Sequence, residues 1–185
     1  MGRRPQIDRA AILDAAMSLA DERGLEAVTM HAVAQRLSVT PMALYRHVDG
    51  KQALLDGLVE RLLTSYQLAP ASVPWRSRLT AMAEAIRSVA KQHPAVFPLL
   101  LTRPAVTPAA RAGRDYVQAA LREAGLAADE AARAERLIST AVLGFAASEA
   151  AGRFRQHAQA VIDEDFATLL RWLSLALSPA PPTDR

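Results

Sequence analysis

The stretch that decides the fold spans residues 29–51 and reads Thr-Met-His-Ala-Val-Ala-Gln-Arg-Leu-Ser-Val-Thr-Pro-Met-Ala-Leu-Tyr-Arg-His-Val-Asp-Gly-Lys. Two short helical patterns flank the turn Leu37-Ser38-Val39. The second pattern opens with Thr40-Pro41, which puts a capping hydroxyl before a proline at the first helical position. A short helix held across another by a tight turn is the geometry that lays a helix into the major groove of DNA. The stretch therefore predicts a helix-turn-helix.

The second helix of this motif separates into two faces. Leu44 and Val48 are four residues apart, so they share the side that packs inward. The opposite strip carries Met42, Ala43, Arg46 and His47, with Tyr45 at its edge. Arginine can read guanine O6 and N7, and methionine or alanine can touch a thymine methyl group. The strip favours contact with DNA; the alternative is an ordinary amphipathic surface helix, which would more often show Glu and Lys outward.

The chain from Ile12 to Leu63 resembles the DNA-binding domain of the tetracycline-repressor (TetR) family, and most closely its tetracycline-repressor-like branch. The residues that carry the resemblance are Ile12-Leu13-Asp14-Ala15-Ala16, Gly24, Thr29, Val33-Ala34, Leu44-Tyr45-Arg46-His47-Val48, Lys51 and Leu54-Leu55. The resemblance implies a ligand-responsive transcriptional regulator, in most cases a repressor. It also implies that a homodimer binds a palindromic DNA operator and that a small organic effector releases it.

The predicted DNA-contacting residues fall into base-reading and phosphate-gripping groups. Thr29 can cap its helix and also hold a phosphate, and Lys51 adds a mobile positive charge at the start of the fourth helix. The resemblance implies backbone contacts at the same positions. The full predicted set is Thr29, His31, Thr40, Met42, Ala43, Tyr45, Arg46, His47 and Lys51. For Lys51 the alternative is a solvated surface lysine.

Net charge alone does not carry the argument for DNA binding. The formal net charge is +3, but residues 1–51 hold seven Arg or Lys against six Asp or Glu. The placement of the basic groups is more informative, with Arg3, Arg4 and Arg9 near the N-terminus and Arg36 beside the motif. Arg3 and Arg4 could reach an adjacent minor groove as an N-terminal arm, or could be disordered.

The rest of the pattern is helical, which predicts an all-α fold. Asp8 can cap a helix that runs to Arg23, with Gly24 as its stop. Further helices are expected from Lys51 and near 75–92, 95–101, 108–124, 129–152 and 163–177. Pro70 to Pro74 is the expected joint. The predicted organisation is a three-helix DNA-binding domain over 1–67 and a helical bundle for effector binding and dimerisation over 68–185.

The last two long helices predict a homodimer. Small residues recur at i, i+4, i+7 and i+11 on the first of them: Thr140, Gly144, Ala147 and Ala151. Such a ridge lets another helix approach closely. The final helix repeats the same spacing with large apolar residues: Phe166, Leu170, Leu173 and Leu177. Its other side is apolar too, which leaves a surface that a second subunit could cover. The family resemblance implies a four-helix dimer interface; the alternative is a wholly intramolecular core.

The middle helices are where the resemblance implies an effector pocket. The predicted lining residues are Met82, Ile86, His93, Phe97, Leu100, Thr102, Tyr116, Val117, Leu121, Ile138, Val142, Phe145 and Glu149. The apolar members could equally be plain core. Glu149 is costly to bury unpaired, so it could bind a ligand amine or pair with Arg153 four residues on. The family's magnesium-binding histidine would fall on Leu99, so no metal or cofactor is predicted.

Other function classes find little support. The chain shows no Gly-rich phosphate loop, nucleophile elbow or His-Glu-x-x-His motif, so an enzyme is not expected. The start lacks the apolar core of a signal peptide and no apolar stretch is long enough for a bilayer, which predicts a cytoplasmic protein without membrane contact. The alternative function is a helical partner-binding protein whose DNA-binding motif no longer works.

Overall fold

A computed structural model describes residues 7–103 and 107–177 of the chain. Within these residues all regular structure is helical, which confirms the all-α prediction. The basic pair Arg3 and Arg4, Pro104 and the segment 178–185 lie outside the described residues. No helix in the two described ranges is long and apolar enough to cross a lipid bilayer.

The chain divides into two compact units. Unit 1 comprises Met1–Ser65 together with Gln92–Pro104, and unit 2 comprises Tyr66–Lys91 together with Ala105–Arg185. The first unit holds α1 (Arg9–Arg23), α2 (Met30–Arg36), α3 (Pro41–Tyr45), α4 (Gly50–Thr64) and α6 (Leu99–Thr102). The second holds most of α5 (Trp75–Gln92) with α7 (Pro108–Glu123), α8 (Ala128–Ala150) and α9 (Gln159–Ala176).

Asp8 and Gly24 set the two ends of helix α1. The Asp8 carboxylate accepts a hydrogen bond from the Ala11 amide at 2.8 Å, which satisfies one of the free amides of the first turn. Gly24 stops the helix with φ +83°, a left-handed value that glycine adopts without strain. The inward stripe of Ile12, Ala16 and Leu19 is buried, as its spacing predicts.

The turn between α2 and α3 is built by backbone hydrogen bonds. The Val39 amide donates to the Ala34 carbonyl at 2.9 Å and the Ser38 amide donates to the Gln35 carbonyl at 3.0 Å. This pair of bonds is the Schellman arrangement, and it requires a left-handed residue after the helix. Ser38 occupies that position with φ +55°, where glycine is the usual choice. Holding α2 across α3 therefore requires a strained backbone conformation at Ser38.

Helix α4 supplies much of the core of unit 1. Leu54, Leu58 and Leu62 recur at i, i+4 and i+8 and are almost fully buried. Residues 92–103 also belong to this unit, where Val96 and Phe97 are completely buried. The core that supports the helix-turn-helix therefore draws on a segment that lies about thirty residues beyond α4 in the sequence.

Unit 2 contains two apolar clusters that share Ile138. In the first, Val117 and Leu121 of α7 pack with Ala131 and Leu177. In the second, Ala83 of α5 packs with Val142 and Phe166. The long helices α5, α7, α8 and α9 each contribute one apolar stripe to these clusters, as the 3.6-residue periodicity requires.

Several predicted helix bounds need correction. The helix expected over 95–101 is shorter and later, at Leu99–Thr102, because residues 94–98 form turns around Pro94 and Pro98. The helix expected over 163–177 begins earlier, at Gln159. Helix α4 begins at Gly50 rather than Lys51, and a 3₁₀ turn at Leu25–Ala27 had no counterpart in the prediction.

The left-handed turn generates a stability prediction at Ser38. Ser38→Val should lower the free energy of unfolding by about 1–2 kcal/mol, because a β-branched side chain clashes with the backbone at positive φ. Ser38→Gly removes that clash and should be neutral or slightly stabilising. Urea denaturation followed by circular dichroism compares the two variants. Equal midpoints for Ser38→Val and the unmodified protein would contradict the role assigned to this turn.

Candidate functional site

The residues predicted to contact DNA all lie in unit 1. Eight of the nine are exposed, and Ala43 is half-buried. They come from α2, α3, the turn after α3 and the start of α4. The described structure therefore presents these side chains to solvent within one compact unit, where a ligand as large as a DNA duplex can reach them.

Helix α3 buries Leu44 on its inward side, as its sequence predicts, but it ends at Tyr45, so Val48 lies in the turn that follows. Leu44 is fully buried and Val48 is 4% exposed. On the other side Met42 is 71% exposed and Tyr45 is 50% exposed. Large apolar groups gain free energy from burial, so two of them held in solvent on a short helix indicate a surface that meets a partner.

The cations of unit 1 fall into paired and unpaired groups. Arg36 makes a two-pronged ion pair with Glu22, which lowers the pKa of that carboxyl group mainly through the hydrogen bond. Arg61 pairs with Asp14. Arg46 and Lys51, by contrast, have no ion-pair partner in residues 7–103 and 107–177.

This division corrects one expectation and supports another. Arg36 is one of the basic groups expected to favour DNA around the motif, but the ion pair with Glu22 neutralises its charge. Arg46 and Lys51 keep their full charge for an external anion. The acids Asp14 and Glu22, in turn, are occupied by arginines and do not oppose a polyanion beside α3.

The N-terminus of α4 lies beside Tyr45. A Cβ atom added at Gly50 would stand 3.9 Å from the Tyr45 ring, so the ring passes close to the first turn of the helix. Gly50 has φ +81°, which lets the chain reverse into α4 without strain. Lys51 follows directly. A phenol, an ammonium group and the free amides of a 15-residue helix together form a surface suited to a phosphate.

The two threonines at the helix starts behave differently. Thr29 accepts a hydrogen bond from the Ala32 amide at 3.1 Å, which confirms its predicted capping role. Thr40 stands at the N-cap position of α3, but its side chain makes no capping hydrogen bond, so that part of the prediction is wrong. Proline at the next position already sets the helix start, and the Thr40 hydroxyl stays exposed.

Two polar contacts tie residues 92–103 to the rest of unit 1. His93 Nδ1 lies 2.9 Å from the Asp21 carboxylate of α1. Arg103 donates from Nε to Asp56 at 2.7 Å, from Nη1 to the Gln52 side chain at 3.0 Å and from Nη2 to the Gln52 carbonyl at 3.2 Å. Arg103 thus holds the first turns of α4, next to Lys51.

The residues predicted to line an effector pocket do not all fall in one unit. His93, Phe97, Leu100 and Thr102 belong to unit 1, where Phe97 is fully buried core and His93 contacts Asp21. The remaining members belong to unit 2: Met82, Ile86, Tyr116, Val117, Leu121, Ile138, Val142, Phe145 and Glu149. The apolar members of this second group lie in the two clusters described above.

A small apolar cavity lies within unit 2. It is lined by residues of α5, α8 and α9, has a volume of about 40 Å³, and includes Ile138 and Val142 in its wall. The cavities that hold drug-sized ligands are roughly 300–1,000 Å³. A larger ligand would therefore have to push these helices apart.

Glu149 is the centre of an ion-pair network. Its carboxylate accepts hydrogen bonds from Arg87 Nε at 2.5 Å and Nη2 at 2.7 Å, and from Gln159 at 3.1 Å. Lys91 lies 2.8 Å away, and Arg87 also bonds Asp163 at 2.6 Å. These partners differ from Arg153, which was one of the two alternatives that the sequence left open for Glu149. Burial alone would raise the pKa of Glu149, but the hydrogen bonds from Arg87, Lys91 and Gln159 outweigh it and lower the pKa to about 2.

Three charged residues that the structure makes important were not predicted from the sequence. Arg87 and Lys91 hold Glu149, and Glu135 is a buried carboxylate on α8. Only Glu135 had a visible signal, because Ala131, Glu135 and Ile138 are spaced by four and three residues and so share the inward face. The other contacts join residues far apart in the sequence, and periodicity does not reveal them.

Among the described residues no group of three or more His, Cys, Asp or Glu could hold a metal ion. Leu99, at the position where the resemblance implies a magnesium ligand, is buried in unit 1 with an exposed fraction of 7%. A leucine offers no donor atom to a metal.

Helices α8 and α9 leave apolar side chains uncovered. Leu137, Trp172 and Leu175 are 66%, 67% and 69% exposed. A Cβ atom added at Gly144 would meet nothing within 4 Å, so packing within the subunit does not require glycine there. A small residue at an open position of a long helix permits close approach of a second helix from outside the chain.

Comparison with known families gives two matches that together span most of the chain. The family described as bacterial regulatory proteins, tetR family, matches residues 12–58. The family described as tetracyclin repressor-like, C-terminal domain, matches residues 69–181. The second match alone covers more than half of the chain.

Individual relatives agree with these matches. The transcriptional repressor DrrR1 of Streptomyces coeruleorubidus is 31% identical over 89% of this chain and 62% of its own length. The crystal structure of BioQ with its natural double-stranded DNA operator has a TM-score of 0.79, 25% identity, and covers 95% of this chain and 100% of that one. A TetR variant of Acinetobacter baumannii AYE in complex with minocycline has a TM-score of 0.76 and 25% identity, covering 94% of this chain and 99% of that one. The chain spans less than two thirds of the length of two curated relatives, DrrR1 and a transcriptional regulator of Saccharopolyspora erythraea.

The network around Glu149 generates a prediction about acid stability. The folded-state pKa of about 2 lies below the ordinary value of 4.5, so the ionised carboxylate stabilises the fold above pH 4.5 and this contribution is lost as the pH falls toward 2. Glu149→Gln should lower the free energy of unfolding at pH 7 by about 3 kcal/mol, because it leaves Arg87 without its main partner. The stability of this variant should also depend less steeply on pH below 4.5.

A matched control for this prediction is Glu164→Gln, which breaks an exposed ion pair with Arg171. An exposed pair contributes about 0–1 kcal/mol, so the control should stay close to the unmodified protein. Urea titrations at several pH values measure both variants. A Glu149→Gln variant as stable as the control at pH 7 would show that the network is not structural.

Proposed function

Because this chain belongs to the tetracycline-repressor (TetR) family of bacterial transcriptional regulators, we propose that it represses transcription by binding a palindromic operator as a homodimer, and that a small organic effector releases it. Members of this family are DNA-binding regulators rather than enzymes. A protein that acts on chromosomal DNA works in the cytoplasm, and we propose that location for it.

The observation that carries the DNA-binding proposal is the exposed strip on α3 beside two unpaired cations. Arg46 can donate two hydrogen bonds to one guanine, whereas Met42 and Ala43 suit a thymine methyl group. Tyr45 and Lys51 flank the start of α4, where a phosphate would meet free backbone amides. The BioQ structure holds an operator duplex, which supports the same type of partner for this chain.

The dimer proposal is supported by the uncovered apolar surface of α8 and α9. Leu137, Trp172 and Leu175 would be buried by a second copy of the same surface, and Gly144 would let the helices meet closely. A two-fold interface of this kind is self-complementary. It also suits DNA binding, because two recognition helices about one DNA turn apart read a palindrome.

The effector proposal is supported by the apolar interior of unit 2 and by the contacts of Arg103. A ligand that opens this interior changes operator affinity only if it binds one conformation of the dimer better than the other. Arg103 holds Asp56 and Gln52, so a shift of the Thr102-Arg103 corner would move the start of α4. The joint at Pro70 to Pro74 is the second place through which we expect a ligand-induced shift to reach α4. Leu99 in place of a metal ligand favours an effector that needs no magnesium.

The rival function is a helical partner-binding protein with an inactive DNA-binding motif. Met42 and Tyr45 are exposed apolar or aromatic groups that a protein partner could also cover. The unpaired charges of Arg46 and Lys51 favour a polyanion instead. The rival therefore expects no shift of any duplex in a binding assay, whereas the DNA-binding proposal expects a selected duplex to bind tightly.

Operator binding should depend strongly on salt. If two subunits contact about 8 phosphates in all, the logarithm of the association constant should fall with the logarithm of salt concentration at a slope of roughly −7. Fluorescence anisotropy across a salt series, on an operator selected from a random duplex library, measures this slope. Sedimentation of the same complex reports the number of subunits. A slope near zero, or one subunit per duplex, would contradict the proposal.

Arg46→Ala and Lys51→Ala should weaken binding in different ways. Loss of Arg46 should cost about 1–3 kcal/mol and relax base preference at one position in each half-site. Loss of Lys51 should lower the affinity for all DNA sequences about equally and flatten the salt slope by about one unit per subunit. Arg122→Ala, an exposed arginine of unit 2, is the control and should change neither property. Identical base-preference profiles for Arg46→Ala and the unmodified protein would show that α3 presents another face to DNA.

An effector and the operator should weaken each other by the same factor. Binding free energies at coupled sites are reciprocal, so an inducer that lowers operator affinity must bind less tightly when operator is present. To move an equilibrium between two conformations of the dimer from 1:99 to 99:1, the ligand must bind one conformation about 10⁴-fold more tightly than the other. Calorimetry with and without operator, in buffer with and without magnesium, tests this for any compound found to release DNA. Equal affinity in both cases, or a requirement for magnesium, would contradict the effector proposal.

A further inference from the structure

Helix α8 carries two buried carboxylates that face the same way. Glu135 and Glu149 are fourteen residues apart, which places them within about 40° of each other around a helix of 3.6 residues per turn. Glu135 is 5% exposed as a residue, and the Glu149 side chain is 6% exposed. Two acidic groups with the same burial on one helix face should need the same kind of compensation.

Among the described residues, cations compensate Glu149 and not Glu135. Arg87, Lys91 and Gln159 surround it, as described above. Glu135 accepts a hydrogen bond from the Ser139 hydroxyl at 2.9 Å, one turn further along the same helix. Across residues 7–103 and 107–177, no cation lies within ion-pair distance of Glu135. A buried carboxylate with a single neutral partner is costly, because one hydroxyl does not replace the water that the ionised group loses.

The buried cations of unit 2 make their ion pairs elsewhere, although Arg78 Nε is buried without a hydrogen-bond partner among the described residues. Arg78 is 3% exposed, and its Nη2 pairs with Glu123 at the end of α7. Arg87 serves Glu149 and Asp163. Within the described residues, the interior of this unit therefore holds one buried carboxyl group that no arginine or lysine approaches within ion-pair distance.

The surroundings of Glu135 are otherwise apolar. Ala131 and Ile138, one turn away on either side, belong to the core of unit 2. Ile138 and Val142 further along the same stripe form part of the wall of the apolar cavity, which Trp75 also lines. Glu135 is not part of this cavity wall, but it stands one turn before Ile138 on the same face of α8. An acidic group near an apolar cavity with an aromatic wall is the setting in which proteins hold organic cations.

We propose that Glu135 is the anchor for the effector, and that the effector is a hydrophobic organic cation whose charged nitrogen pairs with this carboxylate while its apolar body opens the neighbouring cavity. The inference rests on the proposed effector response and adds a chemical class to it. The Glu135 carboxylate then receives from the ligand the cation that the described residues do not supply. In the absence of ligand the same group destabilises unit 2.

The test uses two small probes of opposite charge and similar shape, benzyltrimethylammonium and phenylmethanesulfonate, with benzyl alcohol as the neutral member. Saturation-transfer NMR and thermal shift are measured on the full chain, on Glu135→Gln and on Glu84→Gln, an exposed carboxylate of α5. The cation should bind the unmodified protein and Glu84→Gln equally, and raise their melting temperatures. Its affinity for Glu135→Gln should fall by roughly 30-fold or more, because the buried charge pair is lost.

A second readout separates a ligand anchor from a structural residue. Glu135→Gln removes an uncompensated charge and keeps the shape, so the ligand-free variant should melt at the same or a higher temperature than the unmodified protein. A lower melting temperature would show that Glu135 has a stabilising partner and would overturn the proposal. Preference for the sulfonate, which would point to Arg78, or equal cation binding by Glu135→Gln, would also overturn it.

These outcomes are distinguishable from failure of the proposed function. Operator binding is measured on the same three proteins without any probe. If no duplex binds but the cation binds in a Glu135-dependent way, the cation site stands and the regulatory function falls. If a duplex binds but cation binding ignores Glu135, the regulatory function stands and the site falls.

Discussion

The burial of Leu44 and Val48 is the constraint on which the DNA-binding unit depends. Helix α3 has five residues, far fewer than an isolated helix needs for stability in water. It exists because one side is anchored in the core while Pro41 and the left-handed turn at Ser38 set its start. Because that side is fixed in the core, Met42, Tyr45 and Arg46 face solvent. The same contacts that stabilise the helix therefore leave its other side exposed, where the proposed operator would meet it.

The charges of the molecule divide by what holds them. Arg36, Arg61 and Arg103 are paired and brace unit 1, and the network around Glu149 braces unit 2. In the part of the chain that the structure describes, Arg46 and Lys51 have no ion-pair partner on the surface, and Glu135 has no cation at ion-pair distance in the interior. An ion pair lowers the free energy of a buried charge, and often that of an exposed one. The exceptions mark the places where a partner from outside, DNA in one unit and a ligand in the other, would complete the electrostatics.

Local chemistry made much of the fold predictable. Asp8, Gly24 and Thr29 act through hydrogen bonds and backbone angles within a few residues, so their roles could be deduced from the sequence and are confirmed. The same holds for the buried side of α4. Long-range pairing was not predictable. Glu149 has Arg153 at the favourable spacing of four, yet it pairs with Arg87, sixty-two residues away, because that guanidinium is buried beside it. Arg103 and α4 are likewise joined across 47 to 51 residues, and no periodicity signals such a contact.

The proposed function requires two copies of the α3 surface to read one face of a duplex. Hydroxyl-radical footprinting of a selected operator tests this directly, because it reports which sugars the protein covers on each strand. The expected pattern is two protected patches related by two-fold symmetry, with centres about 10 base pairs apart or a multiple of that distance. Protection should weaken in both patches together when Lys51 is replaced by alanine. A single asymmetric patch, or uniform cleavage at protein concentrations that saturate the anisotropy signal, would contradict the account.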